Sequence, residues 1–361
     1  MVEQDTDVAI VGAGFSGLAL ARKLVLSGLS VQVFEARERP GGRILGPRTD
    51  TGDPLPYDLG PAWVWPHNTA LLRLLQDLNL STFEQYANGK LVFEDPQGTV
   101  RRDLDLAPMA GSLRISGGLE TLTSALTASL PEEAVSVGRA VARINWTSDH
   151  KVISGKGPNG AFEARAKHVV LALPPRVLAR DITFVPALSP DLIAAFERVP
   201  TWMAGHAKLV AIYDAPFWRE MGLSGDAISH RGPLAEIHDA SPADDSAGAV
   251  FGFFGTSVAA RRTAGDALAP AALDQLTRLF GEAASTPRQI LLQDWADEPL
   301  TATSADHTPP SGHPDYRRPD GLDDLSVHGL HFAGTELSPH EGGFLEGAAG
   351  AADHVATRIS V

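Results

Sequence analysis

Three glycines, Gly12, Gly14 and Gly17, sit in the string G-A-G-F-S-G together with Phe15 and Ser16. At that spacing the first permits a tight turn and the second lets backbone approach a pyrophosphate. The third lets a helix pack closely on a strand. Glu35 follows about 20 residues on, where a carboxylate can accept hydrogen bonds from both hydroxyls of a ribose. The chemistry implied is dinucleotide binding, with NAD and FAD not yet distinguished. Gly41, Gly42 and Arg43 then add a second stretch of bare backbone and a cation that can neutralise phosphate. Near the other end, Gly334-Thr335-Glu336 and the run S-P-H-E-G-G-F-L-E-G-A, Ser338 to Ala348, place another glycine-rich turn ahead of a helix. A helix N-terminus favours negative charge.

The elements that must position these groups are readable from pattern. Val8 to Val11 is a short buried strand, Leu18 to Leu26 a helix stopped by Gly28, and Val31 to Phe34 a second strand closing on Glu35. Asn68 is placed to cap a helix carrying Leu71, Leu74, Leu75 and Leu78 on one face. A further helix is expected over Glu120 to Leu130, after Ile115-Ser116-Gly117-Gly118-Leu119. Arg139 to Ile144, 150–155 and 161–166 read as strands, and His168 to Pro175 as another, stopped by two prolines. Gly205 to Trp218 reads as an apolar strand ending at an aromatic corner, Leu330 to Ala333 as a strand, and the end of the chain as a helix to Ile359.

The string from Asp7 to Arg43 strongly resembles the double-glycine signature of the flavin amine oxidase superfamily, which includes monoamine, polyamine and L-amino-acid oxidases. The resemblance extends over nearly the whole chain. It implies that Gly12, Gly14, Phe15, Ser16, Gly17, Glu35, Ala36, Arg37, Gly42 and Arg43 hold the pyrophosphate and ribose of FAD. Tyr57 to Val64 resembles the segment beside the flavin ring, with Gly60, Pro61, Ala62 and Trp63 as contacts. Val141 matches the residue whose backbone pairs with the adenine. Gly334, Thr335, Glu336, Gly343, Phe344 and Leu345 match the closing motif on the pyrimidine end of the ring. Lys208 falls where these enzymes keep a lysine that holds a water against flavin N5. A lysine within an apolar strand is costly to bury without a partner or a function, and the other reading is an edge-strand lysine that reaches solvent.

The chain also departs from that family. The first of the two aromatic positions that face each other before the flavin falls at Ala305, and the second at Phe344. Glu341 stands at a neighbouring tryptophan position, either facing a cationic substrate or capping a turn. His340 lies inside the same motif, and Trp65 follows the ring segment. These five residues are the candidate substrate pocket. The other aromatics, Trp202, Trp218, Phe251, Phe253 and Phe254, could also line a pocket, but most of them are read as core, where aromatics dominate. Between Trp65 and Arg114 there is too little chain for the large helical lid of many relatives. That implies an open site, or one closed by a second subunit in a homodimer.

Composition excludes other chemistries. With 30 Lys and Arg against 44 Asp and Glu, the net charge of −14 opposes nucleic acid and anionic membranes. No cysteine is present, so disulfides, thiolate nucleophiles and a cysteinyl flavin link are ruled out. The 12 histidines match no zinc spacing, and no G-x-S-x-G elbow occurs. No metal is expected. The opening residues carry three acids and no leader pattern, and no apolar run could span a bilayer, so a cytoplasmic protein without a membrane anchor is expected.

The expected architecture is α/β: a discontinuous Rossmann-like FAD-binding domain from 1–60, 115–175 and 291–361, with a mixed-sheet α+β substrate domain from 61–114 and 176–290 and a reduced helical lid. The resemblance implies oxidation of an amine C–N bond, with hydride passing to flavin N5, hydrolysis of the imine, and reoxidation by O2 to hydrogen peroxide. A desaturase or dehydrogenase acting on C–C bonds of an apolar substrate is the alternative. A non-catalytic FAD-binding or assembly protein is a third.

Overall fold

The computed structural model describes residues 5–48, 52, 55–147 and 149–359; the first four residues of the leader reading lie outside them. Two large sheets organise the molecule. Along the first, the strands run Thr183–Val185, Ala140–Asn145, Lys151–Gly157, Gly160–Leu171, Thr6–Val11, Val31–Phe34 and Val135–Ser136, with Leu330–Phe332 also pairing on Gly160–Leu171. The opening strand pairs in parallel with a neighbour on each side, Val8 opposite Val31 and His168. Its V-A-I-V run is buried on both faces, as parallel strands covered by helices require.

The first helix runs Phe15–Leu26, one turn earlier than the apolar pattern suggests, because the glycine turn itself starts it. Gly12 has φ +104°, and a Cβ on Gly17 would lie 2.0 Å from the Gly12 carbonyl oxygen, so both positions require glycine. Segments 161–166 and 168–175 prove to be one strand, Gly160–Leu171. Its first half pairs antiparallel with Lys151–Gly157 and its end pairs parallel with Leu330–Phe332. The two prolines stop it and also open a helix, with Pro174 as N-cap and Pro175 as first residue.

The second sheet runs Gln289–Asp294, Ala207–Tyr213, Gly248–Phe254, Leu234–Asp239, Leu223–Ser229, Lys90–Glu94 and Val100–Leu104. Only the Leu223–Ser229 and Lys90–Glu94 pair is parallel, so the sheet is mixed. Segment 176–290 supplies strands to both sheets. Helix Leu268–Phe280 covers one face of the second sheet, and a small core of Tyr57, Leu59, Ala62, Val210, Ile212 and Phe251 lies on the other. From 65 to 114 one helix, Thr69–Asp77, is followed only by short strands among the described residues. No helix among them is long and apolar enough to cross a membrane.

Asn68 caps this helix differently from the local pattern. Its Oδ1 accepts from the Trp65 amide at 2.7 Å. The free N–H groups of Ala70 and Leu71 donate instead to the Glu346 carboxylate, at 2.9 and 3.0 Å. Glu346 lies in the first turn of the last helix, Leu345–Ile359, so the two helix starts are tied together.

Candidate functional site

A cavity of about 670 Å³ opens where the glycine turns meet, within the range of about 300–1,000 Å³ typical of small-molecule sites. The Gly41 amide donates to the Ala13 carbonyl at 2.8 Å. Gly42, at φ +58°, would place a Cβ 3.1 Å from the Gly14 Cα. Two stretches of bare backbone therefore lie against each other in the wall. Ser16 Oγ donates to the Ala333 carbonyl, joining positions 317 apart in sequence. The opening and closing motifs thus form one surface.

Charged groups are placed along that surface. Glu35 Oε2 accepts from the Ala13 amide and Oε1 from the Arg37 amide, each at 2.8 Å. Arg37 donates to Thr301 Oγ1 at 2.8 Å. Arg43 Nη1 lies 2.6 Å from Oε1 of the fully buried Glu336, an ion pair. Arg43 thus engages Oε1, whereas no group among the described residues donates to Glu336 Oε2. Val141 lies at the start of a bulge opposite Gly155 and turns to the cavity, beside Ala36 and Arg37. Gly60, Pro61, Ala62, Trp63 and Trp65 line another part, and Gly334, Thr335, Gly343, Phe344 and Leu345 a third. Thr335 Oγ1 donates to the Phe344 carbonyl at 2.9 Å, which holds the closing turn against the start of the last helix.

Lys208 is 2% exposed and belongs to an internal strand, with Phe253 and Gln293 as register partners on its two sides. An edge-strand lysine reaching solvent is therefore not what the fold contains. Its Nζ donates to the Gly60 carbonyl at 3.0 Å and lies 3.8 Å from the Phe251 ring centroid. Burial pushes its pKa down to about 7; the Asp58 carboxylate opposes the shift and Arg114 adds to it. Lys208 also lines the cavity. The amine is thus poised to hold or release a proton near neutral pH.

Three candidates are not on the wall. Gly17 lies behind it, against Gly12. His340 is exposed and lines nothing. Ala305 faces outward from the short 3₁₀ turn Ser304–His307, because the neighbouring Asp306 is drawn inward to Arg176 and to the Thr303 amide. Phe344 packs against two rings, His313, stacked at 4.4 Å and 7°, and Trp202, edge-on at 6.1 Å; of these only Trp202 lines the cavity. Glu341 does line the cavity, and its Oε1 is 4.0 Å from His67 Nε2. Trp202 and Phe253, from the group mostly read as core, also line it, as do Met203, His206 and Trp295. Of these, only His206 carried a readable signal: it stands two residues before Lys208 and so shares its face of the strand.

A family model described as flavin containing amine oxidoreductase matches residues 15–109 and 91–360. Putrescine oxidase of Kocuria rosea is 25% identical over 82% of this chain and 83% of its own length. The flavin-containing amine oxidase B of Sus scrofa is 27% identical over 98% and 86%. That alignment runs over 455 positions although this chain has 361 residues, so the relative carries segments with no counterpart here. Among solved structures, cyclohexylamine oxidase from Brevibacterium oxydans IH-35A superposes with a TM-score of 0.81 at 22% identity, covering 99% of both chains. Putrescine oxidase bound to putrescine superposes at 0.79 with 21% identity. These structures share the fold.

Proposed function

This chain belongs to the family of flavin-containing amine oxidoreductases and is a flavin-dependent oxidoreductase, and from that premise we propose that it oxidises the C–N bond of a small amine with FAD. The observation that carries the reading is Lys208, a buried amine in the wall of a cavity that both glycine motifs line.

The residues present suit FAD. Bare backbone at Gly12, Gly14 and Gly42 leaves room for a pyrophosphate, and the start of helix Phe15–Leu26 turns its N–H groups toward it. Arg43 supplies positive charge, and the undonated Glu336 Oε2 can accept from hydroxyl or water. Glu35 has lone pairs left for ribose, and Val141 stands at the adenine end. Gly60 to Trp63 and Gly343 to Leu345 flank the place of the ring.

Bound flavin supplies the two-electron acceptor for hydride from the carbon bearing nitrogen, and O2 takes those electrons on to hydrogen peroxide. Water then splits the imine to a carbonyl compound and ammonia. Lys208 holds a water in the wall through its N–H groups, beside the apolar rings of Trp63, Trp65 and Phe253. No other acid–base side chain is needed when the amine arrives unprotonated.

The apolar wall also suits oxidation of a C–C bond, the second reading. A panel of amines with peroxide detection separates the two. Wild type should yield peroxide only with amines, and Lys208→Met should stay yellow while turning over about tenfold or more slowly. Equal rates in the two proteins would remove Lys208 from the mechanism. A chain that stays colourless with excess FAD would remove the function.

A further inference from the structure

Val210 and Ile212 pack with Tyr57, Leu59 and Ala62, whereas Ala207, Leu209 and Ala211 pack into the core on the opposite face of the sheet. Side chains alternate along a strand, so Lys208 shares the first face, and so does His206 immediately before the strand begins. His206 lines the same cavity as Lys208. Its backbone is fixed from both sides: the Trp295 amide donates to the His206 carbonyl at 3.0 Å, and Arg261 donates to the adjacent Gly205 carbonyl at 2.9 Å. Arg261 is in turn paired with Asp294 at 2.7 Å.

The His206 Nδ1 atom is buried and has no hydrogen-bond partner. The nitrogen left to face the open space is Nε2. Burial and the charge of Arg261, opposed by Asp294, hold the imidazole below its ordinary range, so the ring is neutral at neutral pH. A neutral imidazole carries one proton, and a buried N–H without an acceptor is the arrangement proteins avoid most. The proton therefore belongs on Nε2, turned toward the cavity. The lining residues nearest to it in sequence, Trp202, Met203 and Ala207, carry no carboxylate or carbonyl side chain.

We infer that His206 is a hydrogen-bond donor to the flavin in this cavity and stabilises the negative charge that the ring gains on reduction. The inference rests on the proposed function. Hydride delivers two electrons and one proton to the ring, leaving one negative charge. His206 lowers the energy of that charge through Nε2–H, without forming a covalent bond and without changing the electron count.

The test compares FAD-loaded wild type, His206→Leu and His206→Gln. Two readings are taken: midpoint potential by dye equilibration without amine, and the rate of flavin bleaching by amine. His206→Leu should have a more negative potential and be reduced about ten- to a hundredfold more slowly, as loss of a hydrogen bond to a charged group implies. His206→Gln, whose amide can donate, should recover most of both. If His206→Leu does not retain FAD, His206→Phe, a ring without nitrogens, takes its place. A potential unchanged in the variant lacking a donor, or no recovery with glutamine, overturns the inference. Failure of the flavin reading itself is seen earlier, as a wild-type protein without a visible flavin spectrum.

Discussion

Lys208 links the proposed mechanism to stability because its proton affinity differs between folded and unfolded chain. In the fold its pKa is about 7, against 10.5 for the exposed side chain. Between those values the unfolded chain holds a proton that the folded chain does not, so stability rises with pH across this window. The cost is complete below about 7 and gone above 10.5. Lys208→Met removes it, on the order of a few kcal/mol, and gives up the hydrogen bond to Gly60, about 1 kcal/mol. The variant should therefore resist urea better than wild type at pH 6, with the gap narrowing toward pH 10. A gap independent of pH across urea titrations would place the shift elsewhere. Residue identity alone distinguished Lys208, since a lysine in an apolar run is anomalous. It did not distinguish Trp202 or Phe253, because an aromatic residue suits a cavity wall and a core equally and only the three-dimensional arrangement decides.

Elements whose contacts are local were readable, and those completed from afar were not. The first strand, glycine turn and helix are specified within about 20 residues, and each was expected close to where it lies. The helix Thr69–Asp77 and its N-cap residue Asn68 were expected from the leucine stripe, but the acceptor of its free amides was not, because they find Glu346 some 275 positions away. Ala305 shows a related effect: spacing along the motif reaches it, but the inward pull on Asp306 turns it to solvent. The cap has a measurable consequence. Glu346→Ala leaves the amides of Ala70 and Leu71 without their acceptor and should cost about 1 kcal/mol or more. Loss of protection of these amides in hydrogen exchange, ahead of those of the first sheet, is the expected signature. Unchanged protection would mean that water replaces the carboxylate at no cost.

At the scale of the whole molecule, the cavity lies where residues from 11 to 348 converge, so ligand binding and folding are coupled. A ligand that binds only the folded form stabilises it by about 4 kcal/mol at a thousandfold excess over its dissociation constant. Protein stripped of FAD should therefore melt at a lower temperature, and the midpoint should climb with the logarithm of added FAD; thermal melts over a dilution series measure this. On the proposed reading FMN, which lacks the adenosine half, should give a smaller rise, because the part of the cavity lined by Glu35 and Val141 would stay empty. Equal rises with both would show that the adenine end of the cavity contributes nothing. The reduced lid was visible in sequence as missing length between Trp65 and Arg114. The packing of the His313 ring on Phe344 was not, since it depends on the path of a long loop.

The bond from Ser16 to Ala333 has a consequence for how the protein is made. During synthesis, residue 16 leaves the ribosome long before residue 333 exists. The opening glycine turn is then present without the surface it closes against. Acquisition of the coenzyme must wait for the final stretch of the message to be translated, so a nascent chain stalled before that stretch should remain colourless in a flavin-rich extract.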